Sequence, residues 1–295
     1  MKLNRERAPR STFEAYKELT KPRIVSMVLV TASIGYFLGG RGIESWWVFA
    51  ATLLGTAMTA AGSGVLNHYL ERDVDKRMDR TKNRPLPSGA ISPNAALLFG
   101  IYLVLAGVLL LLTAVNLLTA FLALLTAFLY TLVYTPMKRL SWWNTLVGAV
   151  PGALPPMGGW TAATGHVDAG AWALFLILFV WQIPHFYAIA WMFRDDYRKG
   201  GFKMLPVIEP DGKSTFRQIV VACVLLIPVS LLPTALHLTG IAYAVGAVPW
   251  GLLFLYTGLV LGKTAGFLDA RRVLRMSIVY LPALLGLIVA DVAFL

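Results

Sequence analysis

The sequence predicts an all-α, polytopic membrane protein of nine transmembrane helices, and three observations carry that prediction. Hydrophobic residues make up 57% of the 295-residue chain, whereas Asp, Glu, Lys and Arg together make up only 14%. A soluble domain has about 45–50% apolar and about 25% charged residues; a bundle facing lipid needs the excess, because its inside and its outside are both apolar. The mean hydropathy of +0.67 agrees. Secondly, the apolar residues are gathered into nine runs, most of them near the ~20 residues that cross a bilayer as a helix. Thirdly, the basic residues lie almost entirely on one side of those runs.

The nine runs are 24–40, 46–66, 95–115, 117–134, 145–163, 169–193, 219–238, 241–261 and 277–295. The third and fourth read as a tight hairpin broken only near Asn116. This divides the chain into an N-terminal cytoplasmic segment, 1–22, and a nine-helix transmembrane domain, 23–295. No cleaved signal peptide is expected, because the first 23 residues are polar and no clean cleavage site follows the first apolar run. The single cysteine, Cys223, sits inside an apolar run, so no intrachain disulfide is possible.

Of 26 Lys and Arg residues, 25 precede the first run or follow an even-numbered one, and Arg41 is alone on the other side. The positive-inside rule then puts the N-terminus in the cytoplasm and, with an odd number of spans, Leu295 outside the cell membrane. The net charge of +11 is therefore a cytoplasmic face rather than a nucleic-acid stripe, since the interleaved aromatics fall inside spans.

Function has to come from the polar residues at the cytoplasmic ends. Span two ends in Asn67, Glu71 and Asp75, spaced i, i+4, i+8. On a helix each step of four offsets a side chain by only about 40°, so the three oxygen-bearing groups share one face over a rise of roughly 12 Å. Asp79 continues the row at its edge. Stacked carboxylates repel, and near a bilayer the cost grows. A hard divalent cation relieves it: Mg²⁺ takes oxygen ligands and bridges one or two carboxylates to a diphosphate. The plainer alternative is a solvated helix end, because Arg72, Lys76, Arg77 and Arg80 are interleaved. The Pro- and Gly-rich loop that follows brings Lys82 and Arg84 close behind the row, as phosphate clamps or as charges that only set topology.

Span six ends similarly, with Asp195 and Asp196 followed by Lys199 and Lys203, and both loops run into a Leu-Pro pair. This suggests a weak internal duplication with two facing half-sites. His185, beside Pro184, is an ionisable group inside an apolar span. It is either functional or hydrogen-bonded to a neighbouring helix.

These residues resemble the UbiA superfamily of intramembrane aromatic prenyltransferases. The likeness rests on Asn67-x-x-x-Glu71-x-x-x-Asp75 at the end of span two and a second acidic motif at the end of span six, and it covers residues 19–295. Glu71 departs from the family's Asp, and Lys199 or Gly200 stands where the family has a second Asp. Further pieces are similar to one branch, whose members farnesylate protohaem IX. They are Leu19-Thr20-Lys21-Pro22-Arg23, Asp75-x-x-Met78-x-Arg80-Thr81-x-x-Arg84-Pro85-Leu86, Pro184-His185-Phe186, Asp196-Tyr197-x-x-Gly200-Gly201 and Met204-Leu205-Pro206.

The resemblance implies a helical bundle whose central cavity opens sideways to lipid, farnesyl diphosphate as donor, protohaem IX (haem B) as acceptor, Mg²⁺ as cofactor and the product haem O for terminal oxidases, with a haem A synthase as a possible further partner. On that reading Asn67, Glu71, Asp75 and Asp196 are catalytic and hold Mg²⁺, with Asp79 and Asp195 as further ligands. Arg23, Arg80, Lys82, Arg84, Lys138, Lys199 and Lys203 are the candidates for diphosphate or haem propionates, undivided between the two. His185 is expected to serve the haem acceptor, and Tyr130, Tyr134, Phe186 or Tyr187 to face the carbocation. The rivals are the same chemistry on a quinone precursor such as 4-hydroxybenzoate, and a transporter with proline-broken spans.

Overall fold

The computed structural model describes residues 11–293, and all regular structure among them is helical. Residues 1–10 of the predicted cytoplasmic segment, and the predicted external Leu295, lie outside the described residues. The chain opens with a short helix, α1 (Thr12–Leu19), set by a capping box in which Ser11 and Glu14 each accept from the other's backbone N–H. Then come α2 (Pro22–Gly39), α3 (Trp46–Asp75) and α4 (Pro93–Ala114). Proline at the first helical position starts α2 and α4, where its missing N–H costs nothing.

Asn116 is extended and caps the next segment through the Thr119 N–H at 2.8 Å, which turns the predicted hairpin. That segment begins as α5 (Leu117–Phe128), widens into a π-helix over Leu129–Tyr134 and closes as α6 (Thr135–Leu140). There follow α7 (Asn144–Thr164), α8 (Ala169–Met192), two short helices α9 (Arg194–Lys199) and α10 (Leu205–Ile208), then α11 (Lys213–Ser230), α12 (Leu232–Ala235), α13 (Ile241–Thr264) and α14 (Phe267–Ala293).

Among the described residues eight helical segments are long and apolar enough to cross a membrane. The predicted fifth span forms as α7, 21 residues long, but its Gly, Pro and Thr content keeps it below that apolarity. It is interior rather than lipid-facing. Helix α7 lies against α2 on one side and α8 on the other, and the main apolar core extends from it through α8, α11, α13 and α14. The lipid side is elsewhere: Leu98, Leu105, Val245 and Ile278 are all more than half exposed, as an apolar belt requires.

The α2–α7 approach is set by small residues. A Cβ on Gly35 would lie 1.9 Å from the Pro156 carbonyl oxygen, and one on Gly159 would lie 1.9 Å from that of Ala32. Backbones this close are how membrane helices gain packing energy when lipid supplies no hydrophobic drive between them.

Several helices overrun their apolar stretches, and one overrun builds the site. Helix α3 has 30 residues, about 45 Å at 1.5 Å per residue, against a hydrocarbon core of about 30 Å. Its last turns stay helical into the polar zone because Asn67 to Asp75 have a buried face to satisfy. Likewise α11 begins at Lys213 and α14 at Phe267, earlier than their apolar runs.

Replacing Gly35 or Gly159 by Ala should lower thermal stability in detergent by about 1–3 kcal/mol, the usual cost of overpacking. Gly158→Ala on the same helix has open space and should be neutral. Equal effects at all three positions would contradict the close α2–α7 approach.

Candidate active site

The oxygen row predicted on α3 is present and buried: Asn67 is 2% exposed, Glu71 6% and Asp75 0%. Each is met by a cation from a different part of the chain. Lys21 Nζ donates to Asn67 Oδ1 at 2.6 Å. Lys138 Nζ donates to Glu71 Oε1 at 2.8 Å. Arg84 Nη1 donates to both Asp75 oxygens, at 2.9 and 2.8 Å. Asn67 also donates from Nδ2 to Thr135 Oγ1 at 3.0 Å.

Local structure explains how the three cations arrive. Lys21 sits just before Pro22 with a left-handed backbone, φ +50°, which folds its side chain back onto α3. Burial, reinforced by the nearby positive charges of Arg84 and Lys138, pushes its amine down to about 7. Arg84 returns on the loop after α3, where Thr81 Oγ1 donates to the Asp75 carbonyl at 2.9 Å. Lys138 lies in α6, immediately after the π-helix. That segment's extra residue per turn puts Tyr130 beside Lys21, 3.3 Å from its Nζ, and Tyr134 under Lys138, whose Nζ is 4.6 Å from the ring centroid. Widened turns of this kind recur at functional sites.

The second acidic motif is close by, but its carboxylates do not join the row. Asp196 accepts the backbone N–H of Arg80 at 3.3 Å, and Asp195 pairs with Arg198 at 2.7 Å. Asp79 does not continue the row either: α3 ends at Asp75, the chain turns, and Asp79 accepts from Lys82 at 2.8 Å and Lys199 at 2.6 Å. These hydrogen bonds, Lys199's first, hold the exposed Asp79 carboxyl down at about 2. Val74 and Met78 pack with Ala190, Phe202 and Met204. The two half-sites are thus clasped together rather than facing across a symmetric gap.

Under the clasp lies a cavity of about 190 Å³ lined by Arg80, Tyr134, Phe186, Ile189, Tyr197 and Met204. Of the aromatics singled out from the sequence, Tyr134 and Phe186 face it. Tyr187 is instead fully buried in the core, donating to Gln218 Oε1 at 2.7 Å. His185 points away from this cavity towards α14: its Nδ1 lies 2.7 Å from Ser277 Oγ and its ring stacks on Trp181. Of the predicted basic residues, Arg84 and Lys138 reach the row, Arg80 reaches the cavity, Lys82 and Lys199 hold Asp79, and Arg23 and Lys203 are exposed. Lys21 was not among them. Its signal was its place before Pro22, outside the helix that Pro22 starts and so free to turn back.

Among the described residues no three His, Cys, Asp or Glu side chains converge into a closed cage. The donor set of the row is oxygen only, with two carboxylates and one amide. That chemistry fits Mg²⁺, which keeps waters and typically uses one or two protein carboxylates plus a substrate's phosphate oxygens.

The UbiA prenyltransferase family model matches residues 28–279. A protoheme IX farnesyltransferase of Solibacter usitatus is 46% identical over 285 residues, covering 94% of this chain and 98% of the relative. That of Salinibacter ruber is 50% identical over 276 residues, with 94% and 98% covered. Among solved structures, a digeranylgeranylglyceryl phosphate synthase has the same fold, with a TM-score of 0.81 at 21% identity over 96% of this chain and 99% of that one. A UbiA homologue from Archaeoglobus fulgidus bound to GPP and Mg²⁺ has a TM-score of 0.63 at 20% identity, covering 93% of this chain and 99% of that one.

The Lys138–Glu71 pair generates a stability prediction. Lys138→Met strands a buried carboxylate and should cost about 3–5 kcal/mol. Combining it with Glu71→Gln should recover most of the loss in thermal unfolding, with activity still absent. A double variant no more stable than Lys138→Met alone would mean that the pair is not coupled.

Proposed function

This chain belongs to the UbiA prenyltransferase family, and we propose that it transfers a farnesyl group from farnesyl diphosphate to a vinyl group of protohaem IX, giving haem O. The observation that carries this reading is the buried row of Asn67, Glu71 and Asp75, matched by Lys21, Lys138 and Arg84, next to an aromatic cavity. The names of the relatives support the acceptor.

The chemistry follows from that arrangement. The C1–O bond of an allylic diphosphate breaks when negative charge on the leaving oxygens is stabilised. Lys21, Lys138 and Arg84 are fixed donors for those oxygens. Asn67, Glu71 and Asp75 are the residues to hold Mg²⁺, which would supply further charge neutralisation at the diphosphate. Asp196, Asp195 and Asp79 remain further candidates to hold Mg²⁺; without it Asp196 accepts the Arg80 N–H, Asp195 pairs with Arg198 and Asp79 with Lys82 and Lys199. The bonding pair leaves with the diphosphate, and the allylic cation is met by the apolar walls and by the Tyr134 and Phe186 rings, whose faces favour positive charge. The vinyl π-electrons form the new C–C bond. Water then adds to the resulting porphyrin-side cation and loses a proton, which completes the hydroxyethylfarnesyl group. The family's other acceptors are the second reading, and the product separates them.

The decisive experiment is purified protein with haem B, farnesyl diphosphate and Mg²⁺, with products read by mass spectrometry. A haem product carrying one added farnesyl group and one added hydroxyl is expected. Asp75→Asn should reduce it to background while the protein stays folded in detergent. Full product formation by this variant would remove Asp75 from the site.

His185 is proposed to support the acceptor wall from behind Phe186, tying α8 to α14 through Ser277. His185→Ala should shift the Soret band of bound haem and leave farnesyl diphosphate binding intact. A loss of thermal stability alone would leave only the α8–α14 tie. The membrane orientation is proposed from the Lys and Arg distribution. A reporter inserted after Ser88 should read as cytoplasmic and one fused after Leu295 as external. Two reporters on the same side would refute nine crossings.

A further inference from the structure

We propose that Arg80 binds a carboxylate of the acceptor, not the diphosphate of the donor, and thereby sets which edge of the acceptor meets the reacting carbon. This rests on the haem reading above, since protohaem carries two propionates.

The cations at the site divide into two groups by geometry. Lys21, Lys138 and Arg84 are each within 3 Å of an oxygen on the α3 row, so they gather where a diphosphate head group would sit. Arg80 is turned elsewhere. Its guanidinium lies 5.0 Å from the Phe193 ring centroid and 5.6 Å from that of Tyr197, and it lines the cavity. Its one side-chain hydrogen bond among the described residues is a long one, 3.3 Å, to the Tyr197 hydroxyl. Among the described residues no carboxylate lies within ion-pair distance of that guanidinium; its own backbone N–H takes Asp196. Lys138 and Arg84, the two cations that reach a carboxylate of the row, are both paired there, whereas Arg80 is exposed at the rim of the site.

A guanidinium has five N–H donors in a flat fork that matches a carboxylate bidentately. Held against aromatic faces, it loses little further freedom when it binds. Tyr134 is common to both places, lining the cavity while Lys138 sits over its ring. Protohaem carries its propionates and its vinyl groups on opposite edges, so a propionate held on Arg80 turns the vinyl edge away from Arg80 and limits which vinyl can approach the allylic carbon of a diphosphate held on the row, across Tyr134. A free carboxylate on the acceptor becomes a recognition element, and an acceptor without one is registered poorly.

The test compares protohaem with its dimethyl ester in the full-length protein in detergent with Mg²⁺ and farnesyl diphosphate. For wild type, esterification should lower kcat/KM by about tenfold or more, the worth of a charge-assisted hydrogen-bonded pair. Arg80→Gln should lose a similar factor with the free acid and treat acid and ester alike, with the KM for farnesyl diphosphate at its wild-type value. Arg80→Lys should restore part of the preference for the acid, which a merely structural defect would not do, and it serves as the readout if the Gln variant folds poorly. A raised KM for farnesyl diphosphate with the acid preference intact would overturn the assignment and give Arg80 to the diphosphate. Equal use of acid and ester by wild type would also overturn it. No product from either acceptor would overturn the haem reading itself, and this assignment with it.

Discussion

The structure depends on neutralising one buried strip of oxygen atoms at the end of α3. Glu71 and Asp75 are one helical turn apart on the same face and almost without solvent. In that environment two carboxylates repel strongly, and leaving either unpaired would cost more than most single interactions contribute. The compensation comes from three separate parts of the chain, and each must adopt an unusual local shape to deliver it. Lys21 takes a left-handed backbone, the α5–α6 helix widens into a π-turn before Lys138, and the loop after α3 doubles back so that Arg84 can grip Asp75. The segment before α2, the α5–α6 span and the loop after α3 are therefore held in register by electrostatics at one point.

The second half of the molecule meets this point through a clasp rather than a mirror image. The weak internal duplication in the sequence led to the expectation of two facing half-sites, with Asp195 and Asp196 as metal ligands. In the structure the first loop and the α9 segment interlock, with Asp79 on Lys199, the Arg80 N–H on Asp196, and a small apolar cluster beneath. The exposed pairs contribute little individually. Their position matters more: they lie over the cavity, and the apolar cluster, which shares Met204 with its wall, packs on the side where the proposed carbocation would form.

What could be read in the sequence followed the physics that acts locally. Helical periodicity places Asn67, Glu71 and Asp75 on one face wherever the helix continues, and it does continue to Asp75. The same extrapolation failed for Asp79, because nothing in the spacing says that the helix stops four residues earlier. Apolar run length located the spans but not their true ends, since Lys, Arg and Glu extend a helix as readily as Leu does once they have partners. The apolarity of α7 is diluted by the very Gly and Pro residues that let it sit inside the bundle. Lys21 and the orientation of His185 depended on long-range contacts, 46 and 92 residues away in sequence, which no local pattern encodes.

Buried ion pairs are a poor source of stability, because replacing them with well-packed apolar groups is often neutral or favourable. A site that keeps three cations on two carboxylates and an amide is therefore better explained by exchange than by folding. Under the proposed function a diphosphate arrives with a divalent cation. The carboxylates can then turn to the metal ion and Lys21, Lys138 and Arg84 to the phosphate oxygens, with no charge left unmatched at either stage. The low dielectric that makes a lone charge intolerable also makes each fixed donor more effective at the moment the C1–O bond breaks. Burial, with Arg84 and Lys138 nearby, lowers the Lys21 amine to about 7, and an anion arriving beside it would favour its charged form.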